Sequence, residues 1–197
     1  NLIKSKSNED IQLFEDYFAL GKYQLAFRDI KEALESFEKS ISLSGAPELA
    51  QVVGELLFDY GVYLEAIKFY KSALKLGEKD VKNADLSILY NQIGISYYYL
   101  GNEKKAQENF LKAIEQIHDQ NETIENIRLR KNILLSQGIL YYRASDFVSA
   151  IECYERVIYL SEILIKQKSF EEEMDENVYG TSLLRNTECQ LKLGNYT

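Results

Sequence analysis

A single spacing of small and apolar positions runs through this chain. A Gly is followed twelve residues later by an Ala, and four residues after that by an aromatic side chain. The set occurs as Gly21/Ala33/Phe37, Gly54/Ala66/Tyr70, Gly94/Ala106/Phe110 and Gly138/Ala150/Tyr154, so all three markers advance by the same 33, 40 and 44 residues. An aliphatic residue precedes the Gly in three sets (Leu20, Val53, Ile93), and a small or β-branched residue stands three after the aromatic (Ser40, Ala73, Ala113, Val157). Positions three and four apart share one face of a helix. The pattern predicts pairs of antiparallel helices that approach closely at Gly and Ala, with rings such as Tyr97 and Phe110 filling the gaps beside them. Leu100-Gly101-Asn102 is the turn within the third pair, where Gly adopts φ > 0 freely. Pro47 suits the first turn of a new helix, where its missing N–H leaves nothing unsatisfied. After Tyr154 the helix is expected to run on through Ile158, Leu160, Ile163 and Leu164. The acidic run 171–176 then reads as a solvated break or helix end. A last helix over 178–193 closes in Leu193-Gly194-Asn195, an echo of the turn at Leu100.

The third copy is the clearest: Tyr90-Asn-Gln-Ile93-Gly94-Ile-Ser-Tyr97, then Leu100-Gly101-Asn102, then Ala106-Gln-Glu-Asn-Phe110. It closely resembles the tetratricopeptide repeat (TPR) signature, an aromatic-x2-Leu-Gly-x2-Tyr stretch followed by Ala-x3-Phe. The departures are that Trp never appears, the terminal Pro of the family is largely missing, Arg28-Asp29-Ile30 replaces a Gly turn, and Gln137 precedes Gly138. The resemblance implies an all-α, right-handed superhelical solenoid of antiparallel helix pairs. The repeats fall at about 14–46, 47–86, 87–130 and 131–175, with a partial fifth at 178–197. The 40- and 44-residue steps exceed a 34-residue repeat, which predicts longer helices: the second of one repeat and the first of the next each gain about a turn. Such elongated repeats are similar to those of bacterial peptide-sensing regulators and of sensor modules fused to kinases or cyclases.

In that family the first helix of each pair lines the concave face. Counting around each Gly places Glu15, Phe18, Lys22 and Leu25 there in the first repeat, and Glu48, Gln51, Glu55, Phe58 and Asp59 in the second. The third contributes Ile88, Asn91, Ile95, Tyr98 and Tyr99, and the fourth Asn132, Leu135, Ile139, Tyr142 and Arg143. The partner-binding candidates are Phe18, Gln51, Phe58, Asn91, Tyr98, Tyr99, Asn132, Tyr142 and Arg143. Aromatic rings would take apolar anchors of an extended or helical peptide, and Asn91 and Asn132, each both donor and acceptor, would hold its main chain. The isoleucines on this face are also suited to packing between neighbouring first helices. TPR domains that clamp a chaperone's acidic C-terminus resemble one another in a Lys-x3-Asn pair on a first helix. Here the only such pairs, Lys79/Asn83 and Lys105/Asn109, fall in a spacer and on a second helix, and Glu48, Glu55 and Asp59 would repel a carboxylate.

Composition narrows the chemistry. In 197 residues there are 23 Lys and Arg against 31 Asp and Glu, a net charge of −8 that argues against a nucleic-acid partner. One His, His118, excludes a Ser-His-Asp choice or a multi-His metal site, and it reads as a helix-end residue. Cys153 and Cys189 form no CxxC or zinc spacing and read as buried reduced thiols of a cytoplasmic protein, with a single disulfide as the alternative. No catalytic, cofactor-binding or metal-binding set emerges, and the expected role is a non-enzymatic protein- or peptide-binding module. No run of 18 apolar residues occurs, so no membrane partner is expected. The basic stretch Arg128-Leu-Arg130-Lys131, set against Glu122 and Glu125, reads as a solvated helix face. Asn121-Glu-Thr123 and Asn195-Tyr-Thr197 match glycosylation sequons. The chain begins at Asn1 and begins polar, as an excised part of a larger regulatory or signalling protein would. The rival expectation is an oligomerisation scaffold, a homodimer through exposed terminal helices.

Overall fold

The computed structural model describes residues 8–77, 83–117, 123–169 and 172–194. Among them are nine helices and no strand: α1 (Asn8–Ala26), α2 (Ile30–Ser44), α3 (Pro47–Asp59), α4 (Tyr63–Gly77), α5 (Asn83–Tyr99), α6 (Glu103–Glu115), α7 (Ile124–Arg143), α8 (Phe147–Lys166) and α9 (Glu172–Lys192). They form two compact units, α1–α4 and α5–α9. Within each unit the helices pair in sequence order, α1 with α2 and α3 with α4, then α5 with α6 and α7 with α8, while α9 packs on α8 and α7.

The Gly/aromatic spacing is what lets each pair close. A methyl group at Gly21, Gly54, Gly94 or Gly138 would stand 2.6 Å from the ring of Phe37, Tyr70, Phe110 or Tyr154 respectively. The four rings are buried to 1 % exposure or less, and Ala33, Ala66, Ala106 and Ala150 are fully buried beside them. Hydroxyls fasten two of the pairs from opposite sides. Ser40 on α2 donates to the Phe14 carbonyl on α1, and Ser87 on α5 donates to the Ala113 carbonyl on α6, both at 2.7 Å.

Each pair turns through one backbone device seven residues after its Gly. Arg28 (φ 66°), Gly61 (77°), Gly101 (73°) and Ser145 (62°) all take the left-handed conformation. In each, that residue donates to the carbonyl three before it and its successor to the carbonyl five before, as in Gly101 N–H to Tyr98 O and Asn102 N–H to Tyr97 O. This is the Schellman ending, which satisfies helix-terminal carbonyls otherwise left open. The Asn102 and Asp146 side chains then cap the following helix by accepting from the Lys105 and Ser149 amides. Pro47 opens α3 as its first residue.

Three expectations are corrected. Among the described residues the long steps lengthen the first helices: α5 has 17 residues and α7 has 20 against 13 in α3, while α4 and α6 have 15 and 13, and residues 78–82 and 118–122 lie outside the described residues. A longer second helix appears only in α8, with 20 residues. The last helix starts at Glu172 and not at 178, so residues 172–176 of the acidic run are its first turn, a helix end and not a break. Asp175 is 2 % exposed and takes Lys131 Nζ at 2.7 Å and Arg128 Nε at 3.4 Å. The basic stretch of α7 is likewise no solvated face, since Lys131 is fully buried and Arg128 also donates to the Ser169 carbonyl at 2.7 Å. Two charges with good geometry tolerate burial that neither tolerates alone.

Candidate functional site

Of the nine candidates, Phe18, Gln51 and Phe58 lie in the first compact unit. Phe18 is half-buried, 6.0 Å from the Phe37 ring and covered by Lys22 at 5.1 Å. Gln51 donates to Glu55 at 2.9 Å, and Phe58 packs edge-on to Tyr63 at 5.2 Å. Leu25, counted on the same face, is instead 1 % exposed and belongs to the core: it precedes the turn at Arg28, and its carbonyl closes that turn.

The other six lie in the second unit, and there the structure gathers a site. Gly94 and Gly138 fix the close approach of α5 to α6 and of α7 to α8. Counting four residues on from each Gly, about one helical turn, reaches Tyr98 on α5 and Tyr142 on α7, with Tyr99 and Arg143 next to them. Ile95, Tyr98, Tyr99, Phe110, Ser136 and Ile139 enclose a cleft of about 250 Å³ between α5 and α7. Tyr98 and Tyr99 meet edge to face at 5.5 Å. The Arg143 guanidinium lies over the Tyr98 ring at 5.0 Å, a cation–π contact made by an exposed side chain. Tyr142 carries a second guanidinium, that of Arg185 on α9, at 4.9 Å, and meets Phe147 at 5.8 Å. Arg185 differs from Arg143 in having a carboxylate partner, Glu188 at 2.8 Å.

The asparagines divide. Asn91 is half-buried and its Oδ1 is buried without a hydrogen-bond donor among the described residues. Asn132 is exposed, and its backbone carbonyl accepts from Ser136. Sequence counting picked out the tyrosines and Arg143 singly. It did not reveal that Ile95 and Ile139 open a cleft, that Ser136 lines it, or that Arg143 lies over the Tyr98 ring. Spacing fixes the face of a helix but not the width of the gap to the next one.

Both thiols are free and buried. Burial pushes the Cys153 thiol up to about 11, with Glu152 and Asp146 raising it and Arg156 opposing, and burial raises Cys189 as well. Neither is a nucleophile at neutral pH. His118 and the two sequon asparagines lie outside the described residues. Of the Lys-x3-Asn pairs, Lys79 lies outside them, and Asn109 on α6 is turned back onto the Lys105 carbonyl at 2.7 Å.

Residues 17–47 and 88–116 match the tetratricopeptide repeat family model. A TPR repeat-containing protein of Methanocaldococcus jannaschii, MJ1428, is 23 % identical over 153 residues, 74 % of this chain and 25 % of its own length. The chain thus spans about a quarter of that curated relative. In structure it is similar to BtubC (BKLC) from P. vanneervenii, with a TM-score of 0.55 and 17 % identity over 94 % of this chain and 83 % of that one. It is equally similar to the MamA protein, with a TM-score of 0.55 and 15 % identity over 94 % and 96 % of the two chains. These likenesses carry the fold, the all-α TPR solenoid of antiparallel helix pairs. The repeat signature is thus matched in both compact units, each closed by the same Gly/aromatic seam, with tetratricopeptide repeats over residues 17–47 and 88–116.

Proposed function

We propose that this chain is the peptide-binding module of a larger regulatory or signalling protein, and that it takes its partner segment along α5 and α7. TPR proteins are generally non-catalytic modules of protein–protein interaction, and the proposal locates that role. One observation carries it: an apolar cleft between Tyr98, Tyr99, Ile95 and Ile139, with the exposed guanidinium of Arg143 over the Tyr98 ring beside it. A cleft of about 250 Å³ accepts a large apolar side chain. Arg143 would take a neighbouring carboxylate in a bidentate pair. The segment recognised therefore pairs an apolar residue with an acidic one. Asn132, exposed on α7, would serve its main chain, and Asn91 on α5, whose Oδ1 is buried, would do so only through its amide N–H. The acidic residues Glu48, Glu55 and Asp59 belong to the other compact unit.

A fluorescein-labelled peptide selected from a random library on the whole chain, followed by fluorescence polarisation, tests this. Arg143→Gln should weaken binding about ten-fold, equal to about 1.4 kcal/mol, and Ile139→Trp should fill the cleft and abolish it. Unchanged affinity in both variants refutes the site. The wider setting is read from the flanking open reading frame, where an output domain is expected. No helix among the described residues is long and apolar enough to cross a membrane.

A further inference from the structure

The repeats put different side chains at the same three places after the seam glycine. In the third repeat the residues one, four and five after Gly94 are Ile95, Tyr98 and Tyr99, and with the Phe110 ring they line the apolar cleft. The same count from Gly54 gives Glu55, Phe58 and Asp59, and Tyr70 stands where Phe110 does. Two carboxylates and a buried phenol thus take the place of an aliphatic side chain, an exposed tyrosine and a phenyl ring. All four residues lie on α3 and α4, within the first compact unit.

Tyr70 gives the set its direction. Its ring runs beneath Gly54, where an added carbon would meet Cε1 at 2.6 Å and Cζ at 3.1 Å, so the hydroxyl end is presented at the turn of α3 that carries Glu55. The side chain is fully buried, and the hydroxyl has no hydrogen-bond partner among the described residues. Burial pushes the phenol up, and the carboxylates of Glu55 and Asp59 push it further the same way, so both charges bear on this oxygen. Phenylalanine fills the same place at Phe37 and Phe110, so packing does not call for the hydroxyl. A buried polar group without a partner is costly to keep. Tyr154 has an unpartnered hydroxyl too, but there a cation, Arg185, already acts against the rise. At Tyr70 a cation is what is missing. Gln51 donates to Glu55 at 2.9 Å, while Lys22 lies over the Phe18 ring, Arg28 over the Tyr60 ring and Lys68 against Glu65. No ion pair among the described residues reaches Glu55 or Asp59.

We propose that Glu55, Asp59 and the Tyr70 hydroxyl bind a basic side chain of a partner segment, with the half-buried Phe58 ring against its stem. The charges are complementary: an ammonium or guanidinium carries several donors and no acceptor, and all three groups here offer it acceptor oxygens. The apolar stem of Lys or Arg packs on a ring while its head reaches polar groups. A divalent cation is a poorer match, since hard cations gather six or more oxygens. This site goes beyond the α5/α7 cleft, with other residues and a ligand of opposite charge, and either reading stands without the other.

Fluorescence polarisation of the whole chain with fluorescein-labelled hexalysine, in about 20 mM salt where charge contacts are little screened, tests the site. Glu55→Gln and Asp59→Asn should each weaken binding about five-fold. Tyr70→Phe should weaken it about three-fold while keeping the Tm at or above that of wild type, a split that a purely structural tyrosine would not give. Glu162→Gln, at an exposed position on α8, removes a charge elsewhere and should leave the affinity unchanged, as should Tyr154→Phe and Arg143→Gln. Hexalysine that fails to bind the wild type up to about 1 mM overturns the proposal. So does a Glu162→Gln loss as large as that of Asp59→Asn, or a Tyr70→Phe chain that binds as tightly as wild type.

Discussion

Replacing Gly94 by Ala tests the seam that closes the helix pairs, because two opposing effects of known size meet there. Ala is the better helix former by about 1 kcal/mol, and in open space the change would stabilise. At Gly94 the new carbon would lie 2.6 Å from Cδ1 and Cε1 of Phe110 and 3.2 Å from the backbone oxygen of Ala106. Carbons pack at about 3.5–4.0 Å, so the ring or the helix must retreat by about 1 Å. Phe110 is 1 % exposed, so its ring can retreat only toward the cleft it lines, and a backbone oxygen does not move alone. Overpacking of this kind costs about 1–3 kcal/mol, and with backbone involved the upper half applies. The expected net loss is about 1–2 kcal/mol, seen as a Tm lower by roughly 2–8 °C. Gly180→Ala, where nothing lies within 4 Å, isolates the propensity term and should raise the Tm of the dilute chain by about 2–4 °C. Thermal unfolding followed by circular dichroism reads both. In the Gly94→Ala background, Phe110→Leu should recover part of the loss through coupling between the two sites. A Gly94→Ala chain as stable as wild type would refute the close-packed seam.

Three further outcomes follow from the same geometry. Asp175→Leu strands the fully buried Lys131 and should cost about 3–5 kcal/mol in urea unfolding, whereas Lys131→Met leaves Asp175 with Arg128 and should cost less; the double variant should recover most of the loss. Ser145→Gly relieves a left-handed residue that no ring or ion among the described residues holds, and should stabilise by about 1 kcal/mol, while Arg28→Gly gains less because Arg28 also stacks on Tyr60 at 5.3 Å and donates to its carbonyl at 3.1 Å. With the Cys153 thiol raised to about 11, the unfolded chain ionises first as pH climbs past the usual thiol value of 9, so the stability this group contributes is intact below pH 9 and lost between there and about 11. Denaturant midpoints across that window should fall less steeply in Cys153→Ser, and Ellman's reagent should leave both thiols of the folded chain unmodified at pH 8.

The helix pairs were legible because their closure needs small residues at fixed places: Gly94, Ala106 and Phe110 cannot be exchanged without reopening the seam. The turn at Arg28 was legible only as an exception, yet the backbone there is the same as at Gly101, since the same two hydrogen bonds, from the left-handed residue and from its successor, close both. What escaped was pairing between distant segments. Lys131 and Asp175 each lie in a run of charge that resembles ordinary solvated surface, and only the packing of α9 on α7 brings them to 2.7 Å. The length of the long steps could be counted, but not which helix absorbs it, because a helical turn added to either one preserves the pattern. For the site, the face was legible and the cleft was not. Tyr98, Tyr99 and Arg143 are named by their distance from a Gly, while the opening beside Ile95 and Ile139 depends on how far α5 stands from α7.

The most direct test of the account is a comparison of peptide selection by the wild-type chain, Ile139→Trp and Arg143→Gln on one random library. The account predicts that the wild type enriches segments joining an apolar residue to an acidic one, that Ile139→Trp enriches nothing, and that Arg143→Gln keeps the apolar preference but loses the acidic one. Identical enriched sequences from all three chains would contradict it.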